Sequence, residues 1–272
     1  MTKHLFIPDV QAKEGVPLEH LKWLGQFIID KKPDVIICIG DFADMPSLSS
    51  YDRGKRSFEG RRYKKDIAAA KLAMDTLLSP LRKYNSHMKK IKQKQYKPEM
   101  HLTLGNHEHR IERAVECQAE LEGMLGYHDL PYEDWIVHDY LKPVVIDGVM
   151  YVHFLANPYT GKPYAGTALN QLNKVQHSFC VGHKQTLDHA TYFTPLGKQT
   201  VGIVAGAFYQ HDEDFKGYQG NAHWRGVVML HDVHEGKANP MFVDIDYLRR
   251  RYGTQVGETK WATMTNKEKI KQ

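Results

Sequence analysis

The segment Gly105-Asn106-His107-Glu108 has the residue types and spacing that most clearly indicate chemistry. It follows an apolar run that ends at Leu104 and is predicted to be a β-strand. A glycine at this point lets the backbone turn where a side chain would clash. The amide oxygen of Asn106 beside the imidazole of His107 suits a metal ligand next to a proton donor.

Two earlier strand ends carry side chains of the same kind. Asp9 and Gln11 follow an apolar run that ends at Pro8, and Asp41 and Asp44 follow the apolar run 35–39. Carboxylate and amide oxygens are ligands of divalent cations. Three successive predicted strands therefore end in residues that offer oxygen or nitrogen to a metal ion.

The order of the predicted elements indicates the fold class. Helical spacing of apolar residues predicts helices over 18–29, 61–84, 111–125 and 168–175. Strands are predicted over 3–8, 34–39, 100–104, 144–146, 149–155, 178–181, 190–194, 200–205, 225–232 and 240–245. Pro80 would kink or end the second helix, and 85–98 is either a helical extension or a mobile loop. A β-α-β-α-β half followed by a mostly β half favours an α/β protein with two sheets packed face to face and helices outside.

Charge is distributed unevenly along the chain. The formal net charge is +5, but residues 53–97 contain 15 lysines and arginines against 3 acids, so the remainder is acidic. A basic segment on an acidic body favours a polyanionic partner. The alternative is that long basic side chains solvate a surface helix.

Taken in order, the candidate segments resemble the signature of the calcineurin-like metallophosphoesterase superfamily. That signature is D-x-H, G-D-x-x-D, G-N-H-E, a lone His and G-H-x-H. The corresponding segments here are Asp9-Val10-Gln11, Gly40-Asp41 with Asp44, Gly105 to Glu108, His153, and Gly182-His183-Lys184-Gln185. The glutamines and the basic segment are similar to phage-encoded members. The resemblance implies a four-layer α/β/β/α sandwich in one domain over 1–253, with a basic helical insertion over about 48–98 and a polar tail over 254–272.

The resemblance also implies two divalent metal ions bridged by Asp41. One ion would take Asn106, His153 and His183. The other would take Asp9, with Gln11 and Gln185 at positions where the family has histidines. An oxygen-only set suits Mn²⁺, Mg²⁺ or Ca²⁺ better than Zn²⁺, so this second ion should bind more weakly. We expect Mn²⁺, with Mg²⁺, Zn²⁺ and Fe as alternatives; a one-metal protein whose glutamines only form hydrogen bonds is the competing interpretation.

The family mechanism assigns roles to the remaining residues. Paired cations convert a water molecule to hydroxide for in-line attack on phosphorus. His107 would protonate the departing oxygen, and Asp44 would orient its imidazole, unless Asp44 serves only to cap a helix. His109, Arg110 and His211 are candidates to contact substrate phosphate, although a surface histidine and a helix-start arginine are the simpler interpretation of the first two.

The substrate class stays open at this stage between three alternatives. A phosphodiesterase or nuclease acting on DNA, RNA or nucleotides is favoured by the basic segment. A phosphomonoesterase acting on a phosphoprotein, nucleotide or small metabolite is the second. A member of the fold that binds nucleic acid or protein with little catalysis is the third, disfavoured because the candidate ligands persist. The oligomeric state is not indicated.

The cysteines and the hydropathy pattern bear on the compartment. The chain has three cysteines, and Cys38 and Cys180 lie in apolar runs as buried free thiols would. Such sparse cysteine indicates a reducing compartment. No apolar run is long enough to cross a membrane, and the N-terminal residues lack a signal-peptide layout. We therefore expect a cytoplasmic protein without a membrane partner, in the host cytoplasm if phage-encoded.

Overall fold

A computed structural model describes residues 2–213 and 216–253, so the predicted tail over 254–272 lies outside the described residues. The strands are β1 (Thr2–Ile7), β2 (Val35–Cys38), β3 (Glu99–Thr103), β4 (Ile136–His138), β5 (Val144–Ile146), β6 (Val149–Tyr151), β7 (Phe179–Val181), β8 (Leu187–Phe193), β9 (Gln199–Ala205), β10 (Gly226–His234) and β11 (Lys237–Asp244). The α-helices are α1 (Glu19–Lys31), α2 (Tyr63–Lys90), α3 (Arg110–Cys117), α4 (Ala168–Val175), α5 (Gly217–Asn221) and α6 (Ile245–Tyr252).

The strands form two sheets. The first has the order β11-β10-β1-β2-β3-β4, and β1 to β4 are mutually parallel. The second has the order β5-β6-β7-β9-β8, with β6, β7 and β9 parallel. β5 and β6 form a hairpin in which Asp147 and Gly148 both have positive φ, as the Asp-Gly turn signal predicts.

The buried apolar residues show how the layers stack. Alternate residues of β1 point to opposite faces, so Leu5 and Ile7 pack under α1 and α2 while Phe6 packs towards the second sheet. Tyr151 and Ile203 of the second sheet meet Phe6 in that middle core. A third core joins the outer face of the second sheet to α4. The predicted four-layer α/β/β/α arrangement is therefore confirmed.

The basic segment contributes a helix to the core. The predicted apolar side of α2 is buried, including Ile67, Met74 and Leu77, and it packs with α1. Pro80 does not end α2, which continues to Lys90, ten residues beyond it. Gly25 of α1 lets the two helices pack closely at this point, because a Cβ there would lie 2.5 Å from Leu77 O and 2.7 Å from Pro80 Cγ. The lysines of α2 project from its exposed side.

Some predicted elements differ in the structure. The helix predicted over 111–125 ends at Cys117, because within it only Ile111 is buried and Gly123 adopts a φ of 76° further along. β4 was not predicted because it is three residues long and largely exposed. α6 was also missed, although Asp244 caps its first turn by accepting a hydrogen bond from the Tyr247 amide. Cys38 and Cys180 are buried free thiols, as predicted.

Candidate metal centre

The candidate ligands come from both sheets. Asp9, Asp41 and Asn106 follow parallel strands of the first sheet, and His153 and His183 follow β6 and β7 of the second. The register pairs Ile7 with Cys38 and Cys38 with Leu102, so the loops after β1, β2 and β3 leave the sheet at one edge. Backbone bonds join these loops, since Gln11 N donates to Asp41 O at 2.8 Å. Asp41 has a φ of 50°, a left-handed conformation that non-glycine residues adopt at a cost. The fold thus holds the loops in a strained arrangement that aims their side chains at one point.

Four predicted ligands of one metal converge in the structure. Side-chain ligand atoms of Asp41, His153 and His183 all lie within 4.8 Å of one another. The Asn106 Oδ1 atom lies 2.9 Å from His153 Nε2 and 2.8 Å from His183 Nδ1. One carboxylate, one amide oxygen and two imidazoles are a donor set that fits a divalent first-row metal.

The surroundings of His153 show that this point attracts positive charge. His153 Nδ1 donates to the carbonyl oxygen of Ile39 at 2.8 Å, which directs Nε2 at Asn106 Oδ1 and at Asp41 Oδ2, 3.3 Å away. Two acceptors facing one ring nitrogen require a proton or a cation between them. Burial lowers the pKa of His153, but the Asp41 carboxylate outweighs burial and raises that pKa to about 9.

His183 is held in the form that binds metals. Burial, together with the nearby charge of His153, lowers the pKa of His183 to about 4, so its imidazole is neutral. Its backbone N–H donates to Asp9 Oδ1 at 3.0 Å, which ties the His183 loop to the end of β1.

Two glycines allow the loops to approach each other. A Cβ on Gly105 would lie 2.1 Å from Asp41 Oδ1, and one on Gly182 would lie 2.4 Å from Asp9 Oδ1. Gly105 thus avoids a clash, as predicted, although its φ is not positive and the reason is close packing rather than a left-handed turn. A side chain at either position would displace a carboxylate of the centre.

Glu108 is a buried carboxylate that fastens the loops after β2 and β3. Its Oε2 accepts hydrogen bonds from the Asp41 and Gly105 amides, both at 2.9 Å. Its Oε1 accepts from the Ala43 amide at 3.0 Å and from the Tyr132 hydroxyl at 2.9 Å. Burial raises the pKa of Glu108, yet four donors surround the two oxygens and leave no acceptor for a carboxyl proton.

His107 and Asp44 form the predicted pair beside the candidate metal ligands. His107 Nδ1 lies 2.7 Å from Asp44 Oδ1, and His107 Nε2 lies 3.6 Å from Asp41 Oδ2. Burial disfavours charge on the Asp44 carboxylate, but His107, Lys13 and Arg110 outweigh burial and keep its pKa well below the usual range. Burial likewise lowers the pKa of His107, and the charges of Asp41 and Asp44 reverse the shift and raise it.

The Asp9 side of the centre has a different environment. Asp9 is fully buried, and burial raises the pKa of its carboxyl to about 6 against the opposing charge of His153. Gln185 turns its amide nitrogen towards Asp9 Oδ2, 3.5 Å away. The Gln185 oxygen instead contacts the ammonium of Lys216 and lies 3.0 Å from the Tyr209 hydroxyl. The role of Gln185 as an oxygen ligand stays a prediction.

The centre opens into a cleft of about 890 Å³ whose lining includes His107, Gln11 and Gln185. Six basic side chains line it: Lys13, Lys55, Arg61, Arg62, Lys65 and Arg110. An equal number of acidic side chains lie among them, and several form pairs, such as Arg61 with Asp52 at 2.8 Å. The cleft is therefore mixed in charge rather than uniformly basic.

The predicted substrate contacts have different positions. Arg110 lines the cleft, and its Nη2 lies 3.3 Å from His107 Nε2. His109 instead stacks on Tyr140 at 4.3 Å between ring centroids. His211 is bonded to Glu213 at 2.9 Å and stacks on Tyr209. Neither histidine is among the described residues that line the cleft.

Sequence reasoning missed several residues of the centre. Glu108 lay within the G-N-H-E segment, which is the signal that would have found it. Lys13 bonds Asp44 at 3.2 Å and Glu213 at 2.5 Å, and its place two residues after Gln11 was the available signal. Tyr209 and Lys216 have no motif, because they reach the centre from the loop after β9 through the tertiary structure alone.

No family model matches this chain, and no curated protein matches it at a significant level. Among solved structures, the chain is similar to the phosphoesterase Yfce from E. coli, with a TM-score of 0.39 and 12% identity over 90% of this chain and 100% of that chain. It is also similar to Vps29 from Chaetomium thermophilum, with a TM-score of 0.36 and 11% identity over 89% of this chain and 97% of that chain. The fold assignment rests on the sheets and layers described above rather than on these TM-scores.

The structure also bears on membrane insertion. Among the described helices, none has the length and apolar character that a bilayer span requires.

Proposed function

We propose that this chain is a metal-dependent phosphoesterase of the calcineurin-like type. The observation that carries the proposal is the convergence of Asp41, Asn106, His153 and His183 beside the His107–Asp44 pair at the mouth of a cleft. A divalent ion held by these four residues would polarise a water molecule and neutralise charge on a phosphate. Mn²⁺ is the ion we propose, because a carboxylate and an amide oxygen belong to the donor set, and Zn²⁺ and Fe are the alternatives that its two imidazoles suit.

His107 acts as the proton donor in this proposal. Asp44 holds its Nδ1 at 2.7 Å, so Nε2 is the nitrogen left to protonate a leaving oxygen. Arg110 donates to the Asp44 carbonyl oxygen at 2.7 Å, which places its guanidinium beside His107. Guanidinium matches phosphate oxygens in geometry, so Arg110 is the residue we propose to orient the substrate phosphate.

We propose a phosphodiester as the preferred substrate, with nucleic acid or a nucleotide as its source. A cleft of about 890 Å³ is large for a bare phosphate and leaves room for groups on both sides of it. Exposed Arg62 and Tyr51, whose exposed fraction is 79%, lie on its wall. A cation and an aromatic ring are the groups that bind nucleic-acid backbone and bases.

Parallel hydrolysis assays with bis-p-nitrophenyl phosphate and p-nitrophenyl phosphate under Mn²⁺ test the proposal. We expect faster turnover of the diester and loss of both activities with EDTA. His107→Ala should lower kcat on the order of 100-fold or more while Mn²⁺ still binds, because general acid catalysis contributes about 10²–10⁴-fold. His109→Ala is the matched control, since His109 stacks away from the cleft, and its activity should stay close to wild type.

Other outcomes separate the alternatives. Faster monoester hydrolysis would favour the phosphomonoesterase interpretation. Mn²⁺ binding without hydrolysis of either ester would favour a binding protein, and oligonucleotide binding that weakens as salt rises would identify nucleic acid as its partner.

A further inference from the structure

The amide of Gln185 is oriented by its neighbours. Lys216 carries an ammonium group that can only donate, so the atom of Gln185 that faces it must be the oxygen. The Tyr209 hydroxyl, 3.0 Å from the same oxygen, is a second donor. A carbonyl oxygen has two lone pairs, and these two donors use both. The Gln185 oxygen therefore has no lone pair left for a metal ion.

The other end of the amide leads to the same conclusion. With its oxygen towards Lys216, Gln185 points its NH₂ group at Asp9 Oδ2, 3.5 Å away. An NH₂ group donates hydrogen bonds and does not bind cations. The Oδ1 atom of Asp9 already accepts the His183 amide at 3.0 Å. Gln185 thus links the Asp9 carboxylate to the ammonium of Lys216.

The position of Lys216 is defined by further contacts. Its ammonium donates to the Tyr209 hydroxyl at 3.0 Å and lies 5.7 Å from the centroid of the Tyr209 ring. The Tyr209 side chain is fully buried and borders Gln185. A rigid aromatic ring beside a lysine attracts its ammonium group and restricts where it can lie, although burial lowers the pKa of Lys216. Lys216 is accordingly built into the centre rather than extended into solvent.

We propose that Lys216 supplies the positive charge on the Asp9 side, where the family resemblance implies a second metal ion. The chain then binds a single divalent ion, at Asp41, Asn106, His153 and His183. A histidine at position 185, as in the family pattern, would offer a nitrogen lone pair to a metal ion. Glutamine instead accepts a hydrogen bond from Lys216, so the glutamine and the lysine act as a pair. This inference rests on the proposed function only for the existence of the first metal site.

Metal stoichiometry tests this proposal without an activity measurement. The full chain is equilibrated with Mn²⁺ by dialysis, and bound metal is counted by elemental analysis across a titration. The variants are Lys216→Met and Lys216→Met combined with Gln185→His. Lys174→Met is the matched control, because Lys174 also lies over a tyrosine ring, 5.1 Å from the centroid of Tyr164, outside the centre.

We expect one Mn²⁺ per chain for wild type and for Lys174→Met. Removal of the ammonium frees a lone pair of Gln185, so Lys216→Met should bind a second ion, and the double variant should bind it more tightly. Retention of the first ion shows that a variant is folded. Two ions on wild type, or one ion on both Lys216 variants, would overturn the proposal. Absence of any bound Mn²⁺ on folded wild type would instead refute the metal-dependent function.

Discussion

Replacing Glu108 by glutamine changes one buried atom and tests how the loops after β2 and β3 are held together at the candidate centre. The carboxylate accepts four hydrogen bonds, three of them from backbone amides of Asp41, Ala43 and Gly105. Glutamine has nearly the same shape but only one oxygen, so its NH₂ group must face donors. The substitution therefore keeps the packing and removes acceptors.

The cost depends on which oxygen becomes nitrogen. If the NH₂ group replaces Oε2, it faces two backbone amides that cannot rotate. If it replaces Oε1, it faces the Ala43 amide and the Tyr132 hydroxyl, and the hydroxyl can turn to accept from it. The second orientation is cheaper. It leaves the Ala43 amide without an acceptor, which costs about 1–3 kcal/mol, and the hydrogen bonds from the Asp41 and Gly105 amides now go to a neutral oxygen instead of a charged one. We expect Glu108→Gln to lower the free energy of unfolding by roughly 2–4 kcal/mol.

Urea unfolding of the metal-free protein measures this loss directly. Glu112→Gln is the matched control, because Glu112 is exposed on α3 and its replacement should change stability by about 0.5 kcal/mol or less. Tyr132→Phe should cost about 1 kcal/mol alone and less in the Glu108→Gln background, since the two residues share a bond. Mn²⁺ affinity should fall in Glu108→Gln. An unfolding free energy equal to that of Glu112→Gln would refute the idea that Glu108 fastens the loops.

Three further predictions concern packing, titration and metal binding. Gly105→Ala should lower Mn²⁺ affinity at least tenfold in calorimetric titration, because its Cβ would lie 2.1 Å from Asp41 Oδ1; unchanged affinity would contradict this close approach. Burial lowers the pKa of His20 to about 4 from 6.5. As pH falls, the unfolded state therefore binds a proton at His20 before the folded state does. The free energy of unfolding should fall by up to about 3 kcal/mol between pH 6.5 and pH 4 for this reason. His20→Gln should flatten urea-measured stability over that range, and a slope equal to that of wild type would contradict the role given to His20. Mn²⁺ at 100 times its dissociation constant should stabilise wild type by about 2.7 kcal/mol and so raise its Tm. A similar rise in the Tm of His153→Ala would argue against His153 as a ligand.

The fold was predictable to the extent that its elements bury apolar residues regularly. The strands β1, β2 and β3 match the predicted runs to within one residue at each end, and α4 matches its predicted bounds. The errors fall where burial is slight. α3 ends early because its sequence buries one residue, and β4 is three residues at an exposed edge. Pro80 shows the opposite case, because α2 continues through this local signal for helix termination while its apolar side stays buried on both sides of the proline.

The candidate centre divides in the same way. Asp41, Asn106, His153 and His183 follow strands, so a linear motif marks them, and the structure brings them together. Lys216 lies thirty-one residues after Gln185 and belongs to no sequence motif. The path of the chain after β9 brings Lys216 into contact with the Gln185 side chain. The sequence could show that two histidines of the family pattern are glutamines. It could not show which end of the Gln185 amide faces the centre, because this depends on a lysine contributed by tertiary structure.

Four buried carboxylates meet at this centre, and their partners indicate where a cation is needed. Glu108 is satisfied by amide and hydroxyl donors, and Asp44 by Lys13, Arg110 and His107. Asp41 faces ring nitrogens of His153 and His107, and its negative charge outweighs burial and raises the pKa of both imidazoles. A buried carboxylate needs an opposite charge beside it, so a divalent ion would bind most strongly where it replaces the protons that Asp41 holds on these rings. Asp9 instead faces the side-chain NH₂ group of Gln185, and the oxygen of that same amide contacts the ammonium of Lys216. The distribution of charge therefore favours a metal ion beside Asp41 and a lysine beside Asp9.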